Sequence, residues 1–171
     1  MNRKNITKIL AVAVMLILVA SAAACGSSAP QQEKTQVADT GTGLKITLPE
    51  SLQKDSMDGF DLFYYNDEFM VSVITESNEL LTNAGFDLSN LDLKGYSDLV
   101  AQANGVDFTQ NADGNYIAEY DRTLTDGDFH YYTTVAQGPQ GYYVVTFACF
   151  ADEQDKYVPV FADLIKTIET Y

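Results

Sequence analysis

Thr125-Asp126-Gly127-Asp128 stands between two runs of alternating apolar and polar residues, Tyr116–Leu124 and 129–137, and no other stretch narrows the fold as far. Asp-Gly at a reversal supplies the backbone angles of a tight type I′ turn, so the flanking runs are predicted to pair as a hairpin. Gly138-Pro139-Gln140-Gly141 turns the chain again, into a third run over residues 142–150. That run is apolar on both faces, as a central strand covered from both sides must be. A three-stranded antiparallel unit of this kind needs something packed over it.

The remaining text supplies the cover. Leu44-Lys45-Ile46-Thr47-Leu48 alternates and stops at Pro49, a first strand. Residues 60–65 and 69–75 are apolar runs around Asn66-Asp67, a second hairpin. Leu80, Leu81 and Ala84 fit a short helical turn, while Tyr96, Leu99, Val100 and Ala103 recur at helical spacing and end at Asn104-Gly105, a left-handed cap signal. After residue 150, Asp152-Glu153 suit a helix start, and Tyr157, Phe161, Leu164, Ile165 and Ile168 predict a helix over 152–170. Pro159 either kinks that helix or marks its first turn. The expected architecture is α+β: a mostly antiparallel six-stranded sheet flanked by helices.

The strand ending in Leu48-Pro49-Glu50, the long middle excursion, and the run Tyr142-Tyr143-Val144-Val145-Thr146-Phe147-Ala148-Cys149-Phe150-Ala151 leading into a terminal amphipathic helix resemble the PsbP-like superfamily. The resemblance covers roughly residues 43–171 and implies an α/β/α sandwich. It also implies a role in binding proteins rather than in catalysis, and it carries no functional residues over to this sequence.

The N-terminus gives an address. Arg3, Lys4 and Lys8 precede an apolar run over residues 9–20, then Ser21-Ala22-Ala23-Ala24-Cys25-Gly26. A basic head, a short apolar stretch and small residues before a cut make a secretory signal over residues 1–24. With cysteine directly after the small residues, the segment resembles a bacterial lipoprotein signal, although Ala22 stands where that family usually has Leu. The resemblance implies diacylglyceryl modification of Cys25 and anchoring in the bilayer on the extracytoplasmic face. An ordinary cut leaving Cys25 free, or an uncleaved anchor, are the alternatives. Residues 25–42 read as the lipidated Cys and a small, polar tether, and residues 43–171 as one domain.

Cleavage leaves seven bases against 24 acids, a charge of −17. Nucleic-acid binding needs a basic footprint and is excluded on that ground. So is a second, electrostatic contact with anionic headgroups. The acidity serves solubility, or attracts cations or a basic partner. With Cys25 lipidated, Cys149 has no partner for a disulfide, so the domain must stand on its core.

The sequence holds no Gly-rich phosphate loop, no G-x-S-x-G, no H-E-x-x-H and no paired CxxC, and it calls for no cofactor or metal. Asn111-Ala112-Asp113-Gly114-Asn115 and Asp126-Gly127-Asp128 fail to continue as calcium-loop ligands and are read as turns. One constellation follows from register. With Asp126-Gly127 central, Thr123 faces His130 and Asp121 faces Tyr132. With residues 138–141 as the next loop, Gln137 pairs with Tyr142 and His130 faces Cys149. The sole His would then adjoin Cys149, with Asp121 diagonal to it, the ingredients of a Cys-His hydrolase. Against that, Cys149 lies mid-strand in an apolar run, and no oxyanion hole can be named.

Eleven tyrosines and no tryptophan complete the pattern. Tyr116, Tyr120, Tyr131 and Tyr142 fall on one predicted sheet face, with Arg122 opposite Tyr131 as a polar anchor. These five residues are the candidate binding face, either lining an exposed groove or simply packing under helices. The expected role is a non-catalytic, membrane-anchored module that binds a protein partner or assists envelope assembly. The alternatives are a lipoprotein holding a small solute or cation in a Tyr-lined cleft, and the Cys-His hydrolase.

Overall fold

The computed structural model describes residues 34–171, so the signal segment and Cys25 lie outside the described residues. In chain order the elements are β1 (Thr35–Asp39), β2 (Leu44–Pro49), β3 (Gln53–Asp55), β4 (Leu62–Tyr65), β5 (Phe69–Ser77), α1 (Asn78–Asn83) and α2 (Leu93–Asn104). Then come β6 (Thr109–Gln110), β7 (Tyr116–Leu124), β8 (Gly127–Gly138), β9 (Gly141–Phe150), α3 (Gln154–Ile165) and β10 (Glu169–Thr170). Seven strands form one antiparallel sheet in the order β3-β4-β5-β9-β8-β7-β6, and β1-β2-β10 form a second. The sheet expected to have six strands is therefore seven-stranded, and the strand at residues 44–48 belongs to a different sheet. No described helix is long and apolar enough to cross a membrane.

β9 is central, as its two apolar faces demanded. Phe147, Val145 and Tyr143 are fully buried on one face, and Tyr142 and Ala148 nearly so on the other. The first of these faces carries the main core. Phe161 of α3 lies fully buried against Phe69, Phe147 and Tyr132, with ring centroids 5.4, 5.2 and 6.2 Å apart, and Leu44, Ile46 and Leu48 of the small sheet complete the cover. Removing a ring so placed costs about 3–5 kcal/mol. The helix ends at Ile165, short of the predicted residue 170, because the chain turns to lay β10 against β2. Pro159 sits inside α3 without ending it.

A helix covers the second face only at one end; at the other, Met57 of the β3–β4 connection packs on a small buried cluster of Phe63, Met70 and Ala148. Asp92 caps α2 by accepting from the Gly95 N–H at 2.7 Å, and Gly105 closes it in the left-handed conformation, as Asn104-Gly105 foretold. Tyr96 and Val100 then pack with Leu81 over Val135 and Tyr142. Chain closeness in this region is severe: a Cβ on Gly141 would stand 2.3 Å from the Glu76 carbonyl oxygen.

Thr35–Asp39 is a correction to the tether over residues 25–42. Paired in register from Thr35 opposite Pro49 to Asp39 opposite Lys45, it is an edge strand of the small sheet. The stretch lacks an apolar period because only Ala38 is buried, while Gln36 contributes through its amide, which donates to the carbonyls of Pro49 and Leu52.

Candidate functional site

Beyond the end of α2, the second face of the large sheet is left with an aromatic surface. One cross-strand row reads Tyr120, Tyr131, Ala148, Met70, Tyr65, each opposite the next on β7, β8, β9, β5 and β4. Met70 and Ala148 are buried with Phe63 in a small cluster on which Met57 also packs, while Tyr120, Tyr131 and Tyr65 are half-buried and stand at its sides. Tyr120 and Tyr131 stack with centroids 5.2 Å apart and planes within 2°. The Arg122 guanidinium lies 5.0 Å from the Tyr120 ring and donates to the Asn104 carbonyl at 3.1 Å, which ties the stack to the end of α2. Burial pushes the Tyr131 hydroxyl up, so it stays a donor at neutral pH. Phe129 stacks on Phe150 at 5.0 Å in the next row, and Phe63 bridges Phe60 and Tyr65.

An acidic rim borders this surface. The β4–β5 turn brings Asp67 and Glu68, the β7–β8 turn brings Asp126 with Asp128 beside it, and the end of β9 brings Asp152 and Glu153. Lys156 pairs with Glu68 at 3.1 Å. At this end Asp67, Glu68, Phe69, Met70, Phe129, Ala148, Cys149 and Phe150 enclose about 20 Å³, space for about one water rather than a solute.

The candidate residues divide. Tyr120, Tyr131 and Arg122 gather on the uncovered surface. Tyr142 does not: it is 2% exposed, stacked on Tyr96 at 4.4 Å, and its hydroxyl is held between Gln137 and the Leu91 carbonyl. Tyr116 packs against the same cluster under α2. Arg122 opposes Phe129 rather than Tyr131, whose partner is Tyr120. The cause is the turn. Among the described residues only glycines have positive φ, so Asp126 does not take the type I′ conformation, and Gly127 (φ 145°) instead closes the ladder opposite Leu124.

The same two-residue shift sharpens the other constellation. Asp121 faces His130 directly, with Oδ1 2.7 Å from Nδ1, in place of the diagonal relation expected. His130 faces Cys149, as the second turn implied. Nε2 of His130 is buried without a hydrogen-bond partner, 3.6 Å from Glu119 Oε2. Yet Cys149 is 2% exposed, and burial, followed by Glu153, Asp152 and Asp121, pushes its thiol up to about 11. A thiol in that state is no nucleophile at neutral pH. Among the described residues no three His, Cys, Asp or Glu side chains are placed to hold a metal. Asn111-Asn115 is a turn: the Asn111 side chain accepts from the Asp113 and Asn115 N–H groups.

No family model and no curated protein matches this chain. Among solved structures, the solution structure of cyanobacterial PsbP (CyanoP) from Synechocystis superposes with a TM-score of 0.53 at 17% identity, over 87% of this chain and 98% of that one. The chain has the PsbP fold. A crystal structure from Bacteroides thetaiotaomicron aligns with a TM-score of 0.50 at 9% identity over 82% of this chain, which spans only 49% of the other. At such identities the PsbP fold is shared, and residue roles are not.

One charged residue escaped the sequence reading. Glu76 on β5 is 8% exposed beneath α2, and burial pushes its carboxyl up, partly offset by the neighbouring Tyr96 hydroxyl. The signal was faint, a lone acid at the end of an apolar strand whose cover lies twenty residues further along the chain.

Proposed function

We propose that this chain is a lipid-anchored, extracytoplasmic module that binds a protein partner through the aromatic surface centred on Tyr120, Tyr131 and Arg122, without catalysis. The observation that carries this reading is the stack itself. A rigid aromatic pair with a cation over it, left half-buried at the end of the sheet that no helix covers, is the chemistry of interface anchors. The protonated state of Cys149 supports the non-catalytic part. The PsbP-like superfamily, mostly composed of binders, agrees with it.

The anchor is the cysteine after the signal segment. Cys25 stands ten residues before β1, which puts the start of that strand at most about 35 Å from the bilayer at ~3.3–3.6 Å per residue. Two or more acyl chains at about 0.8 kcal/mol per buried CH₂ hold a soluble domain there.

Intact mass spectrometry of the protein extracted from membranes tests the address: a diacylglyceryl mass on a chain beginning at Cys25 is expected, and an unmodified Cys25 overturns the anchoring. A thermal-shift screen with divalent cations and small solutes tests the rest, because a ligand specific for the native state raises the melting temperature. No shift is expected; a clear shift moves the role to solute capture.

A further inference from the structure

We infer that the outer edge of β7 receives an extended polypeptide segment in which basic side chains alternate with aromatic or apolar ones, added to the large sheet as a further strand. The inference rests on the binding reading above and names the partner's chemistry.

β7 runs for nine residues, but β6 pairs with it only at Tyr116 and Ile117. Over residues 119–124, among the described residues, no strand or side chain pairs with its outer backbone. An edge of that length is a template for another strand unless something guards it. The opposite end of the same sheet is guarded in a common way: β3 has three residues, all exposed, and carries Lys54. β7 is longer, and its charges select a partner.

Its two faces differ. Glu119, Asp121 and Thr123 share the face of His130, with the carboxylates of Glu119 and Asp121 50% and 64% exposed. Asp121 is held in place by the His130 imidazole. Tyr120 and Arg122 share the other face, where Tyr120 continues the stacked row. Directly opposed residues on neighbouring strands lie on one face, so the segment that fits places Lys or Arg against Glu119 and Asp121. It places aromatic or apolar side chains against Tyr120. Side chains alternate between faces along a strand, so one sequence of alternating type satisfies both.

A second copy of the chain is a poor occupant. Pairing β7 with another β7, faces continuous, centres on Tyr120, Asp121 or Arg122 and sets Glu119 against Asp121, or Asp121 or Arg122 against itself. Like charges directly opposed destabilise such a pair. A formal charge of −14 on the whole chain adds long-range attraction for a basic segment.

The test uses the full-length chain in detergent micelles at low salt and a capped nine-residue peptide alternating lysine with valine and tyrosine. Its comparators are the same peptide N-methylated at every residue, which keeps the charge and loses the backbone donors, and a version with glutamate for each lysine. Hydrogen exchange within residues 119–124 is expected to slow at least tenfold with the parent peptide. N-methylation should weaken binding at least tenfold, and the glutamate peptide should not bind. Glu119→Lys/Asp121→Lys should transfer binding to the glutamate peptide, whereas Asp55→Lys/Asp58→Lys, an equal charge change at the opposite edge, should not. Undiminished binding of the N-methylated peptide, equal losses in the two double variants, or unchanged exchange in residues 119–124 would each overturn the inference. The peptide comparison needs no variant, so a misfolded double variant leaves it decisive. Photo-crosslinking from position 131 in membranes reads the binding proposal separately: adducts there with a negative edge result end this inference alone, and no adducts end both.

Discussion

His130 is clamped across three strands, its Nδ1 2.7 Å from Asp121 Oδ1 on β7 and its register partner Cys149 on β9. The arrangement has the order of a nucleophile, base and orienting carboxylate, but the sulfur is buried and protonated. Native protein is expected to resist iodoacetamide at Cys149 at pH 7 and to react fully once unfolded. Because the folded thiol is raised, it becomes reactive only as pH climbs through about 11. Rapid native alkylation at pH 7, slowed by His130→Ala, would show a base-activated thiolate and contradict this account.

The tyrosines divide into core and surface, and substitution should separate them. Tyr142→Ala removes a ring buried against Tyr96, and about 3–5 kcal/mol of stability should go with it. Tyr131→Ala loses one half-buried stack, worth about 0.5–1.5 kcal/mol beyond the smaller area it buries, and should cost clearly less. Urea titration with an unchanged slope measures both. Equal losses would mean that the uncovered face is as much core as the face under α2.

Glu76 should make stability depend on pH in a definite direction. A folded carboxyl held above its ordinary 4.5 favours the protonated form, so its contribution is complete below that value and is lost as pH rises through the raised one. Glu76→Gln is therefore expected to raise the melting temperature at pH 7 and to give no gain near pH 4. A loss at pH 7 would show that the carboxylate is a needed acceptor for Tyr96.

Those residues also show what the sequence could say. The central strand, the α2 cap at Gly105 and the pairing of His130 with Cys149 were legible because each follows from local text: a doubly apolar run, Asn-Gly after a helical period, a short loop at residues 138–141. The β7–β8 register was two residues out, since Asp-Gly suggested a turn that Asp126 does not adopt. An error of two changes partners and leaves faces intact, which is why Asp121 still met His130. Tyr142 was misplaced for a different reason. Its face was right, but alternation along a strand does not tell which end of that face a helix covers; α2 decides that, from forty residues away. β1, β3, β6 and β10 are short, mostly exposed edge strands, with no apolar period to find.

The most direct test of the binding claim is site-specific photo-crosslinking in intact cells, with the reactive group at position 131 on the aromatic surface and, for comparison, at Asp163 on the exposed side of α3. The account expects discrete, membrane-associated protein adducts from position 131 that disappear when Tyr120 is also changed to Ala, and none from position 163. No adduct from 131, or the same adducts from both positions, would contradict it.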